Sequence, residues 1–500
     1  MTPGLSKCES GVYFVVWTTA VFYSIYNFSL TNFRNYDDQY SDFESGWFWV
    51  KRKKDNSDQE WAVWIPYLWK LAPWLILHHI ISNLIKITLN RTLLCLWYIF
   101  VPIVFLCHIV GMLGTLYILL QILVLYLVTI MRSATWIWSV HLLFLLMINF
   151  LKTPEGFFQE TMNYDDKQHY LFILTTFWIF LRSISYDLEA ITTDTKDTNH
   201  SAVHTFAKNV LNKLTYCLYL PTLTLGPLIM YKDFESSVCI MKIIQLALNL
   251  LRYIFWIYFT ELSLHFIYVN AVQYHPKFVQ ALNPWTLYGM GYCMGQFFLN
   301  KYVVVYGINS SLCSIDDIKA PPQPKCIGRI HLYSDMWKYF DRGLYTFLVR
   351  YIYAPVQAQG FNKLLASFLC FTFIFLWHGL QVNILIWAFF NFVGLSIEGT
   401  AKLIRGSRTY TRIQKEYLTP RNARRLTCAL ASPLLAMSAV SNFYFFAGRE
   451  IGDIYLQRVL HESWGTLSIL FFILYCCCQV SVDVRDWECQ KLAKEFKHVF

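Results

Sequence analysis

Charge is what this sequence has least of. Asp, Glu, Lys and Arg make up 15% of its 500 residues, where an ordinary globular domain carries about a quarter. Hydrophobic residues reach 56% and aromatics 18%, more apolar surface than a soluble fold of this length can hide. From Thr92 to Met131 there is no Asp, Glu, Lys or Arg, and one bilayer crossing takes about 20 residues. That stretch predicts two helices, parted near Gly111 to Gly114.

Other absences narrow the class. No internal repeat, low-complexity tract or interdomain linker interrupts the chain, so one membrane domain over residues 1–500 is expected. Fourteen cysteines are scattered without zinc-type spacing and fall mostly in apolar runs, where Cys acts as a small hydrophobe, so no disulfide framework is implied. The first apolar run lacks a basic leader and a small-residue cleavage site, which reads as a retained anchor. Long uncharged runs exclude barrel strands, which alternate. The net charge of +10 sits at the edges of apolar runs, where it orients helices, so nucleic acid is not an expected partner.

What is present is a succession of apolar segments. Uncharged runs cover Ser10 to Phe33, Ser133 to Leu151, Leu214 to Tyr231, Leu364 to Ile397, Leu426 to Gly448 and Ser463 to Val482. Trp61 to Leu89, Ile240 to Asn270 and Trp285 to Asn300 are apolar but carry Lys70, Lys86, Lys242, Arg252 and Glu261. Backbone polar groups in lipid are satisfied within helices, so the prediction is an all-α polytopic membrane protein of about eleven or twelve transmembrane or re-entrant helices. Residues 10–60 form an N-terminal anchor helix and polar loop, and 463–500 a last helix and tail.

Between Lys402 and Arg425 eight Lys or Arg residues face one acid, Glu416, and the positive-inside rule places that loop in the cytoplasm. At about 1.5 Å per residue the chain back to His378 spans some 36 Å as helix. His378 is therefore expected deep in the membrane or toward its non-cytoplasmic side. The longest polar interruption, Asn309 to Asn362, opens with Pro321, Pro322 and Pro324 and reads as amphipathic or re-entrant structure.

An ionisable group inside an apolar run is a functional candidate. His378 is followed by Gln381 and Asn383 after Phe373-Ile374-Phe375-Leu376-Trp377. A histidine hydrogen-bonded between helices is the competing reading, and His78, His79, His108, His141 and His265 have equally apolar flanks. Gly379 directly after His378 favours a backbone break or a close approach. Taken alone, Asp341 reads as an interfacial ion pair with Arg342 or Arg350, Cys326 as an ordinary thiol, and Cys476 to Cys478 as packing at a helix end. Asn27, Asn90, Asn199 and Asn309 begin glycosylation sequons, a common match.

Leu376-Trp377-His378-Gly379, preceded by Met336-Trp337-Lys338-Tyr339-Phe340-Asp341 and followed by Ser441-Asn442, resembles the membrane-bound O-acyltransferases, and within them the hedgehog acyltransferase branch. Arg182-Ser183, Tyr219-Leu220-Pro221-Thr222 and Gly226-Pro227 resemble the upstream signature of that family, which puts its core at residues 182–448. Lys338 stands where the resemblance leads one to expect Arg.

The resemblance implies that His378 is the catalytic histidine, Asp341 its acidic companion, Asn442 a residue near the acyl donor and Trp337 one lining the reaction chamber. It implies haem held by Cys326, palmitoyl-CoA as donor, and the N-terminal cysteine of a Hedgehog-type secreted protein, with Spitz as a second candidate, as acceptor. It further implies a multi-pass protein of the endoplasmic reticulum membrane, with the Golgi as alternative. The rival functions are an acyltransferase acting on a lipid or serine hydroxyl, a catalytically silent relative, and a lipid-binding or transport protein.

Overall fold

The computed structural model describes residues 4–31, 42–88, 90–152, 156–193, 202–236 and 243–497. Nearly all regular structure is helical. The long helices are α1 (Lys7–Ser29), α2 (Gln59–Ile87), α3 (Arg91–Leu127), α4 (Ala134–Leu151), α5 (Asp166–Thr193), α6 (Ala202–Cys217), α7 (Ile243–Ser263) and α8 (Pro284–Cys313). After two short helices, α9 (Tyr333–Phe340) and α10 (Arg342–Leu348), come α11 (Lys363–His378), α12 (Val382–Gly406), α13 (Arg408–Tyr417), α14 (Pro420–Phe446), α15 (Gly448–His461) and α16 (Trp464–Lys497).

Seven segments among the described residues are long and apolar enough to cross a membrane: Arg91–Met131, Ala134–Leu151, Asp166–Thr192, Ile243–Ser263, Val382–Gly406, Pro420–Phe446 and Trp464–Lys491. α11 is a shorter apolar helix. α1, α2 and α8 have 23, 29 and 30 residues, enough length for about 30 Å of hydrocarbon. The uncharged stretch after Arg91 is two helices joined at Gly111, whose φ of 72° breaks the helix where the sequence predicts the break. A two-stranded antiparallel ribbon, Phe43–Glu44 with Lys54–Asp55, is the β structure among the described residues.

Two groups of helices enclose the core. α1 packs on α8 and α16, and α14 on α12, α15 and α16; on the other side α3 packs on α2, α5 and α6, and α4 on α5. α11 joins the groups by touching both α12 and α4.

One expected crossing is absent. The uncharged run Leu214 to Tyr231 is the end of α6, a 3-10 turn at Leu220–Thr222 and a buried connection to Met230. Pro221, Gly226 and Pro227 interrupt helical hydrogen bonding here, and non-helical backbone is tolerated at such depth only when buried in protein. Arg182 makes that possible. Its side chain, 1% exposed, donates Nη1 to the Cys217 carbonyl at 2.9 Å and Nη2 to the Thr222 carbonyl and hydroxyl. The cysteine triplet likewise lies in the middle of α16 rather than at its end, and all three thiols are buried. The sequon at Asn199 lies outside the described residues.

Candidate active site around His378

His378 is the last residue of α11. Gly379 takes over with φ 139°, a conformation open to glycine and strained for other residues, and α12 starts three residues later. The reversal leaves the last carbonyls of α11 without helical partners. Two side chains from the end of α4 cap them: Asn149 Nδ2 donates to the Leu376 carbonyl at 2.9 Å, and Lys152 Nζ donates to those of Trp377 and His378 at 2.9 and 2.8 Å. The Lys152 ammonium also lies 3.9 Å from the centre of the Phe177 ring.

The imidazole is held by ring edges. Trp387 and Phe445 stand perpendicular to it at centroid distances of 5.3 and 4.9 Å, and Trp377 lies at 4.6 Å. None of the described residues hydrogen-bonds either ring nitrogen, so both are available to a substrate. His378 lines a cavity of about 450 Å³ together with Asp58, Glu60, Asn270, Tyr274, Lys301 and Phe445. Lys301, 4% exposed at its side chain, pairs with Asp58 at 2.7 Å and Glu60 at 2.8 Å, so the histidine end of the cavity is apolar and the far rim ionic.

Two other candidates, Trp337 on α9 and Asn442 on α14, converge on α12. Trp387 Nε1 donates to Asn442 Oδ1 at 3.2 Å. One turn on, Asn391 accepts from Trp337 Nε1 at 3.1 Å and reaches Ser441 Oγ at 3.3 Å. Trp337 and Trp387 lie 5.6 Å apart. His378, Trp337 and Asn442, distant in sequence, thus share one wall whose centre is Trp387 and Asn391.

Asp341 stands apart from that wall. It caps α10 by accepting the Leu344 N–H at 2.8 Å, and it accepts the Tyr306 hydroxyl at 2.8 Å. No hydrogen bond joins it to His378. Neither neighbouring arginine pairs with it; Arg350 pairs with Asp233 and Glu189. A relay of rings connects the two candidates: Phe340, beside Asp341, stacks on Phe298 at 5.5 Å, Phe298 meets Phe445 at 5.7 Å, and Phe445 meets His378.

Cys326 is exposed and lines a second, larger cavity of about 1330 Å³, with Arg252, Trp256, Tyr292, Gln296 and Arg329 around it. A third cavity of about 270 Å³ is apolar, with aromatic walls such as Trp285 and Phe446, small residues such as Gly291 and Ala436, and Asn442 at its wall. At the polar ribbon, burial pushes the Asp55 carboxyl up to about 6 against the pull of three backbone amides, those of Ser57, Asn270 and Ala271. It stays largely ionised at neutral pH and pins this loop to the chain beside the His378 cavity.

Over residues 122–441 the chain matches MBOAT, the membrane-bound O-acyltransferase family. It is a membrane-bound O-acyltransferase. It is 31% identical to the protein-cysteine N-palmitoyltransferase Rasp of Drosophila melanogaster, over 95% of both chains. The mouse protein-cysteine N-palmitoyltransferase HHAT is 27% identical over 92% of this chain and 94% of its own. The mouse HHAT-like protein is 23% identical over 87% and 86%. This acyltransferase is a multi-pass helical membrane protein, as its composition predicts.

Sequence reasoning missed four residues of the site. Trp387 and Asn391 had a readable signal, because Asn383, Trp387 and Asn391 recur every four residues and share one face of α12. Lys152 is the first charge after the run Ser133 to Leu151. Its partner lies 226 residues away, and neither it nor Asn149 had any sequence mark of that contact.

Proposed function

We propose that this acyltransferase moves palmitate from palmitoyl-CoA to the α-amine of an N-terminal cysteine on a secreted, Hedgehog-type protein, in the endoplasmic reticulum membrane. The observation that carries the reading is similarity to two protein-cysteine N-palmitoyltransferases over more than nine-tenths of the chain. The site is of the right kind. An α-amine with an ordinary pKa of about 7.7 to 8.0 must lose a proton to attack a thioester. His378, its ring nitrogens unclaimed, takes that proton as general base, work typically contributing about 10²- to 10⁴-fold. The neutral amine nitrogen bonds to the thioester carbon, the carbon–sulfur bond breaks, the imidazolium protonates the CoA thiolate, and the regenerated imidazole takes the second proton from the acylated nitrogen and passes it to solvent, leaving the neutral amide.

Asp341, fixed by two donors, offers its negative charge to the incoming ammonium, and the ionic rim of Asp58, Glu60 and Lys301 marks the entry of the acceptor. The apolar cavity beside Asn442 takes the acyl chain. Lys152 and Asn149 are positioning residues, because they hold the backbone that aims His378. The basic surface of residues 402–425 faces the cytoplasm, where the donor is made available, and the His378 end of α12 faces the lumen.

The Cys326 cavity fits haem. Its volume of about 1330 Å³ leaves room for a porphyrin beside Cys326, with Trp256 and Tyr292 among its walls. Arg329 pairs with Glu488 through Nη1 and keeps a buried Nε without a hydrogen-bond partner, which suits a second acidic group. Cys326 would ligate the iron as thiolate, with Arg252 and Arg329 near the propionates. Haem bound there supplies a brace between α8 and the segment before α9, and Cys326 is then engaged and does not carry acyl groups.

The test is transfer of labelled palmitate from palmitoyl-CoA to a peptide beginning with Cys, against the same peptide acetylated at its amine. The wild type labels only the free amine, and His378→Ala loses transfer while still binding donor. Near-normal transfer by that variant removes His378 from the chemistry, and labelling of lipid or a serine peptide instead removes the acceptor.

A further inference from the structure

A second cluster of ionisable groups lies away from the His378 cavity, where α2 meets the turn after α8. His78 and His79 are consecutive on α2, and Asp316 ends the 3-10 turn Ser314–Asp316. All three are buried, at 0%, 7% and 5% exposure. Neighbouring residues on a helix point about 100° apart, yet both imidazoles reach the same carboxylate oxygen. His78 Nε2 lies 3.2 Å and His79 Nδ1 3.4 Å from Asp316 Oδ2. Ser82 Oγ donates to Oδ1 at 3.1 Å and the Tyr219 hydroxyl to Oδ2 at 2.9 Å.

Protein hydrogen bonds account for only part of this arrangement, the one from His78 Nε2 to Asp316 among them. Neither nitrogen of His79 has a hydrogen-bond partner although the ring is buried, and His78 Nδ1 is also without one. An orphaned buried donor or acceptor costs about 1–3 kcal/mol, and a helix that only needed packing here would carry Leu. Two nitrogens and an oxygen within 4.8 Å of one another have a simpler common partner. In a tetrahedral zinc site with bonds of about 2.0–2.1 Å, ligand atoms stand roughly 3.3 Å apart, and the two nitrogen–oxygen separations bracket that value.

We propose that His78 Nε2, His79 Nδ1 and Asp316 Oδ2 bind one zinc ion. The donor set of two imidazoles and one carboxylate suits zinc, and the two hydroxyls that fix Asp316 are the outer partners such ligands require. The fourth position faces the tyrosine pair Tyr98 and Tyr219, whose rings lie 4.8 and 6.2 Å from His78, and takes a water. Loading is from the protein surface, where Asp317, next to the ligand Asp316, forms an exposed pair with Lys86 at 3.0 Å. The ion ties α2, the end of α8 and the buried connection through Tyr219 at one point. Its role is to staple the fold, independent of the acyl-transfer site.

Metal content measured by plasma mass spectrometry on untagged, purified protein decides this. After incubation with zinc and removal of excess by gel filtration, the wild type is expected to hold one zinc per chain more than Asp316→Asn, which preserves shape and keeps one of the two acceptor oxygens that Ser82 and Tyr219 use. Cobalt loaded in place of zinc should give visible d–d bands in the wild type only. Stripping the folded wild type with a chelator should lower its melting temperature, and added zinc should restore it, a readout that needs no variant to fold. Equal zinc in wild type and Asp316→Asn, or none in either, overturns the site and leaves a carboxylate hydrogen-bonded by His78, Ser82 and Tyr219.

Discussion

At the scale of single residues, the end of α11 that carries His378 is held by two side chains of another helix. Lys152 makes charge-assisted hydrogen bonds to two carbonyls at the end of α11, and the imidazole of His378 has no hydrogen bond from the described residues to keep it aimed. Misplacing a reacting group by about 1 Å costs up to about 10²-fold. Lys152→Met should therefore lower kcat by about 10- to 100-fold with little change in KM, and Lys152→Arg should recover part of it. Steady-state kinetics at varied peptide concentration checks this; an unchanged kcat in Lys152→Met would show that α11 holds its end without the lysine. Cys326 makes a separate, spectroscopic prediction. Cys326→Ala should purify without a Soret band, and a band of wild-type intensity removes it as the haem ligand.

At the scale of elements, the segment Cys217 to Met230 shows how a break in helix survives at membrane depth. Arg182 satisfies carbonyls that Pro221 and the Gly226-Pro227 pair leave without helical partners. Arg182→Met keeps the length and removes the donors, leaving buried acceptors that cost about 1–3 kcal/mol each against a total stability of about 5–15 kcal/mol. The variant should extract poorly in mild detergent and melt well below the wild type, while an equal melting temperature would mean that water or another side chain takes over. The same logic explains the miscount of this run in the sequence. An uncharged stretch marks burial, but lipid and protein interior are equally apolar, and only the prolines hinted that this one is wrapped by other helices.

At the scale of the whole molecule, α12 decides the orientation of the reaction. Its 25 residues span about 37 Å, from the reversal at Gly379 to the basic helix α13, so His378 and the cationic surface are on opposite sides of any bilayer the helix crosses. Glu9 at the start of α1 pairs with Arg425 near the start of α14 at 2.8 Å, which puts those two helix ends on the basic side. A protease site inserted after Ser407 should be cut in sealed microsomes without detergent, and one inserted in the 42–58 loop should be cut only after permeabilisation. The reverse pattern would place the acceptor cavity in the cytosol and contradict a secreted acceptor.

Local chemistry along the chain was enough to determine an all-helical membrane fold, the break near Gly111, the reversal after His378, and the family to which Trp377-His378-Gly379 and Asp341 belong. The fold and the breaks follow from composition, from the length of uncharged runs and from residues that cannot continue a helix, all of which act over a few turns, and the family follows from the resemblance that those motifs carry. Tertiary structure alone decided what meets His378. Trp387, Asn391, Asn442, Asn149 and Lys152 come together through contacts that span up to 227 residues, and the same long-range packing keeps Asp341 off the imidazole and gathers His78, His79 and Asp316. Such contacts are selected by the shape of facing helices and by the cost of leaving a buried polar group unpaired, and neither is written in any one segment.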